Sequence, residues 1–101
     1  MLMDEIRAEY DQLEQLANRF VQQAQAIQQM TQRVRNGLEK LESGGWIGLG
    51  ASAFFEEMHG ELLPACQRFH DVLNDSSQAS KEIAQILRHA EAEAAAPFKH
   101  G

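Results

Sequence analysis

The chain has 101 residues, which is enough for one small domain and too few for a catalytic domain with a regulatory one. Apolar residues make up 44% and charged residues 24%, as in ordinary globular proteins, and 15 Asp and Glu against 9 Lys and Arg give a net charge of −6. An acidic chain without a basic block is a poor match for polyanions, so we expect no binding to nucleic acid or to an anionic bilayer.

The N-terminus is acidic where a secretory signal peptide would be basic. Asp4 and Glu5 lie close to the first residue, and no apolar core follows them. No apolar run in the sequence approaches the roughly 18 residues that a membrane-spanning helix needs. We therefore expect no cleavable signal peptide and no membrane span. The protein is then either cytosolic or exported by a machine that reads another signal.

The first arm, about residues 4–43, predicts a helix with a narrow apolar stripe. Apolar residues recur in alternating steps of four and three, and the alternation by two that a strand needs is absent. Such a stripe is typical of a helix that packs along another helix. Lys40 in the last turn and Gly44, as a left-handed residue after it, suit the helix end. The stripe contains Ile6, Tyr10, Leu13, Ala17, Phe20, Ala24, Ile27, Thr31, Val34, Leu38 and Leu41.

A glycine-rich turn, assigned to residues 44–50, separates this arm from a second one at about 50–95. The second arm has the same repeat, and its main stripe is joined by a thinner stripe, so its apolar face is wider than one seam requires. We expect these stripes to form the seams of the hairpin and of a dimer. The main stripe contains Phe55, Met58, Leu62, Ala65, Phe69, Val72, Ser76, Ala79, Ile83, Ile86 and Ala90, and the thinner one contains Cys66, Leu73, Ser80 and Leu87, with Phe54 and Leu63 nearby.

Pro64 interrupts the second arm. A proline inside a helix removes one backbone hydrogen bond and crowds the carbonyl four residues earlier, so we expect a kink or short irregularity between residues 59 and 64. Residues 91–96 read as a weak continuation of the helix, and residues 96–101 as a flexible tail.

These elements predict an all-α fold of one domain over residues 1–101, a two-helix antiparallel hairpin. Two helices of this length bury too little apolar surface on their own, because a hairpin has no third layer. The thinner stripe on the second arm therefore needs a partner. We expect two hairpins to dimerise into a four-helix bundle.

The sequence contains no pattern typical of catalysis or metal binding. No two of His59, His70, His89 and His100 form the His-x-x-x-His pair that places two ligands on one helical face, so we interpret them as surface residues. The single Cys66 lies on the thinner stripe and is interpreted as a small buried hydrophobe. We predict no catalytic residue, no metal site and no cofactor.

The corner between the arms resembles a known family. Trp46-Ile47-Gly48 lies between arms of equal length, and small residues dominate the stretch 48–54 that follows. This combination resembles the WXG family, small helical-hairpin proteins related to the early secreted antigenic target of mycobacteria. The resemblance covers nearly the whole chain.

The resemblance implies a bacterial protein that is cytoplasmic before export and is secreted as a folded dimer by a type VII secretion system. Its partner would be a second copy or another WXG hairpin, and the secretion ATPase would drive its export. Members act as co-secreted partners, structural components or effectors, without a catalytic site. Trp46 and Gly48 would shape a groove near the partner's C-terminal helix. In a second interpretation, Trp46 only caps the apolar seam.

One feature of the family is missing. Its secretion signal, a Tyr followed after three residues by Asp or Glu, would fall here near Ala94 and Phe98. The nearest substitute is His89 with Glu93, while Tyr10 belongs to the stripe of the first arm. The absence favours a heterodimer whose other chain supplies the signal, and a homodimer with a degenerate signal is the second possibility. The residues also allow an intracellular helical adaptor that is not exported.

Overall fold

In the computed structural model, which describes residues 2–99, the chain is an all-α helical hairpin. Helix α1 spans Leu2–Ser43, and helix α2 spans Leu49–Glu57. A π-helical turn at Met58–Leu62, here called the π segment, leads into helix α3 at Leu63–Lys99. The described residues contain no strand. The residues expected at 96–99 in a tail are helical, so α3 is longer than predicted.

The ends of α1 have the charges that a long helix favours. Asp4 and Glu5 lie in its first turn and Lys40 in its last, so each charge opposes the partial charge of the backbone at that end. Within residues 2–99, no helix has a stretch long and apolar enough to cross a membrane.

The π segment accounts for Pro64. The ring of a proline at this position would crowd the carbonyl of Gly60 in a regular α-helix, and the missing N–H leaves that carbonyl without its usual donor. Inserting one wider turn immediately before the proline changes the register and relieves both problems. The expected irregularity at 59–64 is confirmed as a π-helical turn at Met58–Leu62.

The chain divides into two compact units. Unit 1 contains Met1–Val21 and Asn74–Gly101, and unit 2 contains Gln22–Leu73. In unit 1 the two segments run antiparallel, because Arg7 pairs with Glu91 and Glu14 pairs with Arg88. In unit 2 the chain reverses at the turn.

Small side chains fill the interior of unit 1, and leucines join them in unit 2. Unit 1 buries Ala17, Ser77, Ser80 and Ala84, and unit 2 buries Ala24, Thr31, Leu38, Ala51, Leu63 and Leu73. The hydroxyl groups of Thr31 and Ser80 donate to the carbonyls of Ile27 and Ser76, each at 2.8 Å, which satisfies polar atoms that would otherwise be costly to bury. Among the described side chains, no large one is fully buried.

The burial pattern corrects the roles predicted for the two stripes of the second arm. The thinner stripe was expected to need a partner, yet Leu63, Leu73 and Ser80 are buried within the chain. Phe69 and Ile86 of the main stripe are 52% and 66% exposed instead. In the described part of unit 1 the buried residues are all Ala or Ser, which allows a close approach of the two helices, whereas unit 2 also buries Leu38, Leu63 and Leu73.

Candidate partner-binding site

The turn between the helices ends α1 with a left-handed residue. Gly45 has φ of 84°, and the next amide, that of Trp46, donates to the carbonyl of Leu41 at 3.3 Å. This is the six-residue hydrogen bond of a Schellman-type helix end. The prediction that Gly44 would be the left-handed residue is wrong by one position. Gly44 continues the helical pattern, since its amide donates to Lys40 at 2.8 Å.

Gly48 starts the next helix in a conformation that only glycine adopts readily. Its φ of 121° and ψ of 176° lie in a region where a Cβ atom would clash with the backbone. Its carbonyl accepts a hydrogen bond from the amide of Ser52 at 3.0 Å, which is the first bond of α2. The glycine at this position is thus required by backbone geometry.

Trp46 belongs to a cluster of three aromatic rings in unit 2. Its ring centroid lies 5.3 Å from that of Phe54 and 5.4 Å from that of Phe55, in tilted and edge-on geometries that aromatic pairs favour. The two phenylalanine rings are also edge-on, with centroids 5.7 Å apart. Trp46 remains 44% exposed, so the cluster fixes its orientation and leaves much of its surface accessible.

Unit 2 has an apolar side, which we call the apolar flank of unit 2. Phe69 and Val72 of α3 are more than half exposed, and Leu62 of the π segment is 43% exposed. On α1, Ile27 and Val34 are half-buried. The two α3 residues lie on the side of that helix away from Gln67, which belongs to a polar groove.

Unit 1 has a corresponding surface, the apolar flank of unit 1. Ile83 and Ile86 of α3 are 48% and 66% exposed, and Leu16 of α1 is also exposed beside the half-buried Leu13 and Phe20. Polar residues occupy the other side of this unit. Glu14, Asn18, Lys81, Gln85 and Arg88 line a shallow groove there.

The polar side of unit 2 contains a groove of about 390 Å³. It is lined by Arg35 and Glu39 of α1 and by His59, Leu63, Pro64 and Gln67 of the second arm. The His59 imidazole lies 2.6 Å from the Glu42 carboxylate, measured from Nε2 to Oε1, and this contact joins the two arms near the turn. Cys66 lines an adjoining groove and is half-buried, so it is less buried than predicted.

Charged groups and one aromatic ring connect the arms of unit 1. Arg7 donates to the Glu91 carboxylate at 2.6 Å, and Arg88 pairs with Glu14 while its guanidinium carbon lies 4.9 Å from the centre of the Tyr10 ring. The hydrogen bond from Arg7 lowers the pKa of Glu91 below its usual value of 4.5, and Glu91 correspondingly raises the pKa of Arg7. Tyr10 and Glu14 are therefore engaged in contacts within the hairpin.

No group of three or more His, Cys, Asp or Glu side chains is arranged to hold a metal ion within the part of the chain that the structure describes. His59 contacts Glu42, His70 lies 3.2 Å from Asp71, and His89 lies 3.1 Å from Glu93. His100 lies outside the described residues.

The chain matches a known protein family over most of its length. The WXG100 family model, for proteins of 100 residues with WXG, matches residues 5–92. The chain belongs to the WXG100 family. No curated protein and no solved structure matches the chain. Family membership confirms the resemblance seen at Trp46 and Gly48, and the all-α hairpin fold agrees with it.

The WXG100 signature residues have clear structural roles here. Gly48 supplies a backbone conformation that other residues avoid, and Trp46 forms the centre of the aromatic cluster. The predicted seam residues fall into three classes of exposure. Leu38 and Leu73 are buried; Leu13, Phe20, Ile27, Val34, Phe55, Met58 and Leu87 are half-buried; Leu41, Leu62, Phe69, Val72, Ile83 and Ile86 are exposed.

Two features of the surface were missed by reading the sequence. The ion pairs of unit 1 join residues as far apart as 84 positions, and no local spacing reports such a contact. The exposure of the main stripe was missed because periodicity identifies apolar faces without saying which face packs inside the chain. The small size of Ala17, Ala24 and Ser80 was the available signal.

Proposed function

We propose that this WXG100 protein is a non-enzymatic dimeric hairpin of a type VII secretion system, either exported by that system or pairing with a protein that it exports. The observation that carries the proposal is the exposure of the large apolar side chains on the flanks of both units, in a chain matched by the WXG100 family over residues 5–92. WXG proteins pair with WXG partners, and such flanks are the surfaces that pairing would cover.

The burial pattern supports pairing. Exposed contiguous apolar surface is uncommon on monomeric proteins and marks sites of association. Phe69 and Val72 in unit 2 and Ile83 and Ile86 in unit 1 are each about half exposed or more. A second copy or another WXG hairpin would cover these side chains and complete a four-helix bundle, in which the predicted seam residues would be buried.

Export would follow the route of the family. The folded pair would leave the bacterial cytoplasm through recognition by the type VII secretion ATPase. Trp46 and Gly48 would form a groove with the C-terminal helix of the partner. The partly exposed Trp46 ring, held by Phe54 and Phe55, supports this role because its orientation is already fixed.

The secretion signal would come from the partner chain. The family's Tyr would fall near Ala94 and its acidic residue near Phe98, and neither position has the residue that the signal needs. The nearest substitute, His89 with Glu93, forms an exposed contact of 3.1 Å one turn earlier in α3. A heterodimer in which the other hairpin carries the signal accounts for this departure, whereas a homodimer would need to use the degenerate pair.

The decisive experiment compares culture supernatants of cells with and without the type VII secretion ATPase. We expect the protein in the medium only when the ATPase is present, with a cytosolic marker retained in both strains. Retention in the cytosol under conditions where a known substrate is exported would refute the secretion role. It would favour the intracellular adaptor instead.

The role of Trp46 has its own test. Trp46→Ala should destabilise the turn of each hairpin and thereby weaken pairing, because the contacts of the Trp46 ring with Phe54 and Phe55 are lost. If the ring also forms the recognition groove, the variant should remain paired and folded at high protein concentration and still fail to be exported. Normal export of the paired variant would reduce Trp46 to a structural residue of the turn.

A further inference from the structure

The turn end of unit 2 has a second apolar surface, separate from the flanks. Ile47 and Leu49 are 86% and 93% exposed, and they lie on either side of Gly48. The rings of Trp46 and Phe54 contact each other, and the two residues are 44% and 38% exposed. We call these four residues the apex patch: Trp46, Ile47, Leu49 and Phe54.

The fold itself does not require aliphatic side chains at these two positions. Ile47 lies in the turn and Leu49 begins α2, and neither is among the buried residues of unit 2. A polar residue would satisfy the turn equally well and would avoid exposing two aliphatic side chains to water. Part of the patch is held in place, because Phe54 and Phe55 fix the orientation of the Trp46 ring. A ring with a fixed orientation beside exposed aliphatic side chains is suited to binding.

The charges near the turn favour a partner that carries positive charge. Between residues 40 and 57 the chain has three exposed carboxylates and one cation, Lys40; Glu42 already contacts His59 at 2.6 Å, and Glu56 and Glu57 are the other two. This acidic surrounding would repel an anionic membrane and a second apex patch. It would attract apolar side chains that are accompanied by Lys or Arg.

We propose that the apex patch is a docking site for a basic amphipathic helix of a third protein, one that is not the hairpin partner. The apolar face of that helix would cover Ile47 and Leu49, and its cations would face Glu42, Glu56 and Glu57. This binding goes beyond pairing through the flanks and beyond the groove proposed at Trp46 and Gly48, because its main contacts are Ile47 and Leu49, which neither surface uses. The paired hairpin would thus carry a contact point for a basic protein at its turn.

The protein contains a built-in reporter for this site, since Trp46 is its single tryptophan. The probe is a synthetic leucine–lysine peptide with leucine at helical spacing, compared with a leucine–glutamate peptide of the same apolar pattern. We expect the lysine peptide to shift the Trp46 emission to shorter wavelength in the full chain, and the glutamate peptide to leave it unchanged. Raising the salt concentration should weaken the binding of the lysine peptide.

Matched variants locate the binding. Ile47→Ser and Leu49→Ser should each lower the affinity for the lysine peptide by about tenfold or more, because each removes one aliphatic contact from the interface. Leu2→Ser is the control, since Leu2 is also highly exposed (71%) and lies in unit 1, away from the turn. The double variant Glu56→Gln, Glu57→Gln should lower the affinity for the lysine peptide and make that affinity less dependent on salt concentration.

Three results would overturn the proposal. The first is equal binding of the lysine and glutamate peptides. The second is unchanged binding of the lysine peptide by the Ile47→Ser and Leu49→Ser variants. The third is a shift of the Trp46 emission with phosphatidylcholine vesicles but not with the lysine peptide. The last result would identify the patch as a membrane contact. Light scattering on the same samples reports pairing separately, so loss of peptide binding with the mass unchanged distinguishes this site from the flanks.

Discussion

At the scale of single residues, Gly48 connects the family signature to backbone physics. Its φ of 121° with ψ near 180° is open to glycine and strained for all other residues. No atom outside Gly48 and its two neighbours in the chain lies within 4 Å of a Cβ atom added there, so the constraint comes from the local backbone conformation and not from crowding by other parts of the fold. A glycine here lets α2 begin three residues after the tryptophan, at Leu49.

Gly48→Ala should lower the free energy of unfolding by about 1–3 kcal/mol, because alanine must adopt a strained conformation. Gly50→Ala is a matched control two residues later. Gly50 lies in α2 without positive φ and has open space around it, so its substitution should be neutral or stabilising by about 0.5–1 kcal/mol. Urea unfolding followed by circular dichroism measures both. Equal effects of the two substitutions would contradict the backbone argument.

Glu91 gives the chain a dependence of stability on acid pH. Because Arg7 lowers the pKa of Glu91 in the folded state, the carboxylate stabilises the fold above the usual pKa of about 4.5. That contribution is lost as pH falls through the lower folded value. Glu91→Gln should therefore lower the unfolding midpoint at pH 7 and have a smaller effect in strong acid.

A thermal unfolding series between neutral and acid pH tests the Glu91 prediction. Glu9→Gln is the control, since Glu9 is exposed and makes no ion pair in the described part of the chain. Its effect should be small at both ends of the series. A Glu91→Gln effect that stays constant across the pH range would mean that the Arg7 contact does not stabilise the fold.

At the scale of elements, the π segment allows a proline to lie inside a long helical arm. The proline removes one donor and crowds the preceding turn, and one wide turn at Met58–Leu62 absorbs both effects. The sequence predicted the place of this irregularity, because proline acts locally. It did not predict the form, since a kink and a π turn relieve the same clash.

Pro64→Ala should stabilise the chain by about 1–3 kcal/mol, because alanine restores the missing donor and suits a helix interior better than proline. The wide turn then loses its cause, and we expect slower amide hydrogen exchange over residues 58–62. Gly60→Ala is the control within the same turn. Its higher helix propensity alone should raise the free energy of unfolding by about 0.5–1 kcal/mol. Unchanged exchange in the proline variant would show that the π segment has another origin.

The sequence predicted that two long helices pack together, but not how they are aligned along each other. The repeat of apolar residues predicted both long helices, and their observed ends lie close to those expected at 43 and 50. The register of the arms was not predictable, because a heptad stripe packs equally well in several alignments. In unit 1 the buried Ser80 and Ala84 are smaller than the exposed Ile83 and Ile86, but unit 2 buries Leu63 and Leu73, so side-chain size accounts for the inward stripe in unit 1 only.

At the scale of the whole molecule, the exposed flanks make the oligomeric state the central prediction. The unfolding midpoint of a dimer rises with protein concentration, whereas that of a monomer does not. If the flanks pair, a charge placed on them must break the dimer, while the same charge on the polar side must leave it intact. Neighbouring residues of α3 provide such a comparison in each unit.

In unit 1, Ile86→Glu places a carboxylate on the apolar flank, and Gln85→Glu places one beside it in the polar groove. In unit 2, Phe69→Glu and Gln67→Glu form the equivalent pair. We expect the flank variants to have the mass of a monomer by light scattering and a midpoint that no longer depends on concentration, because burying an unpaired charge is costly. Gln85→Glu should behave like the unmodified chain, and Gln67→Glu should keep the mass of the pair even though it loses the hydrogen bond to Asp71. A monomeric mass for the unmodified protein at micromolar concentration, or equal effects within each pair, would refute pairing through the flanks.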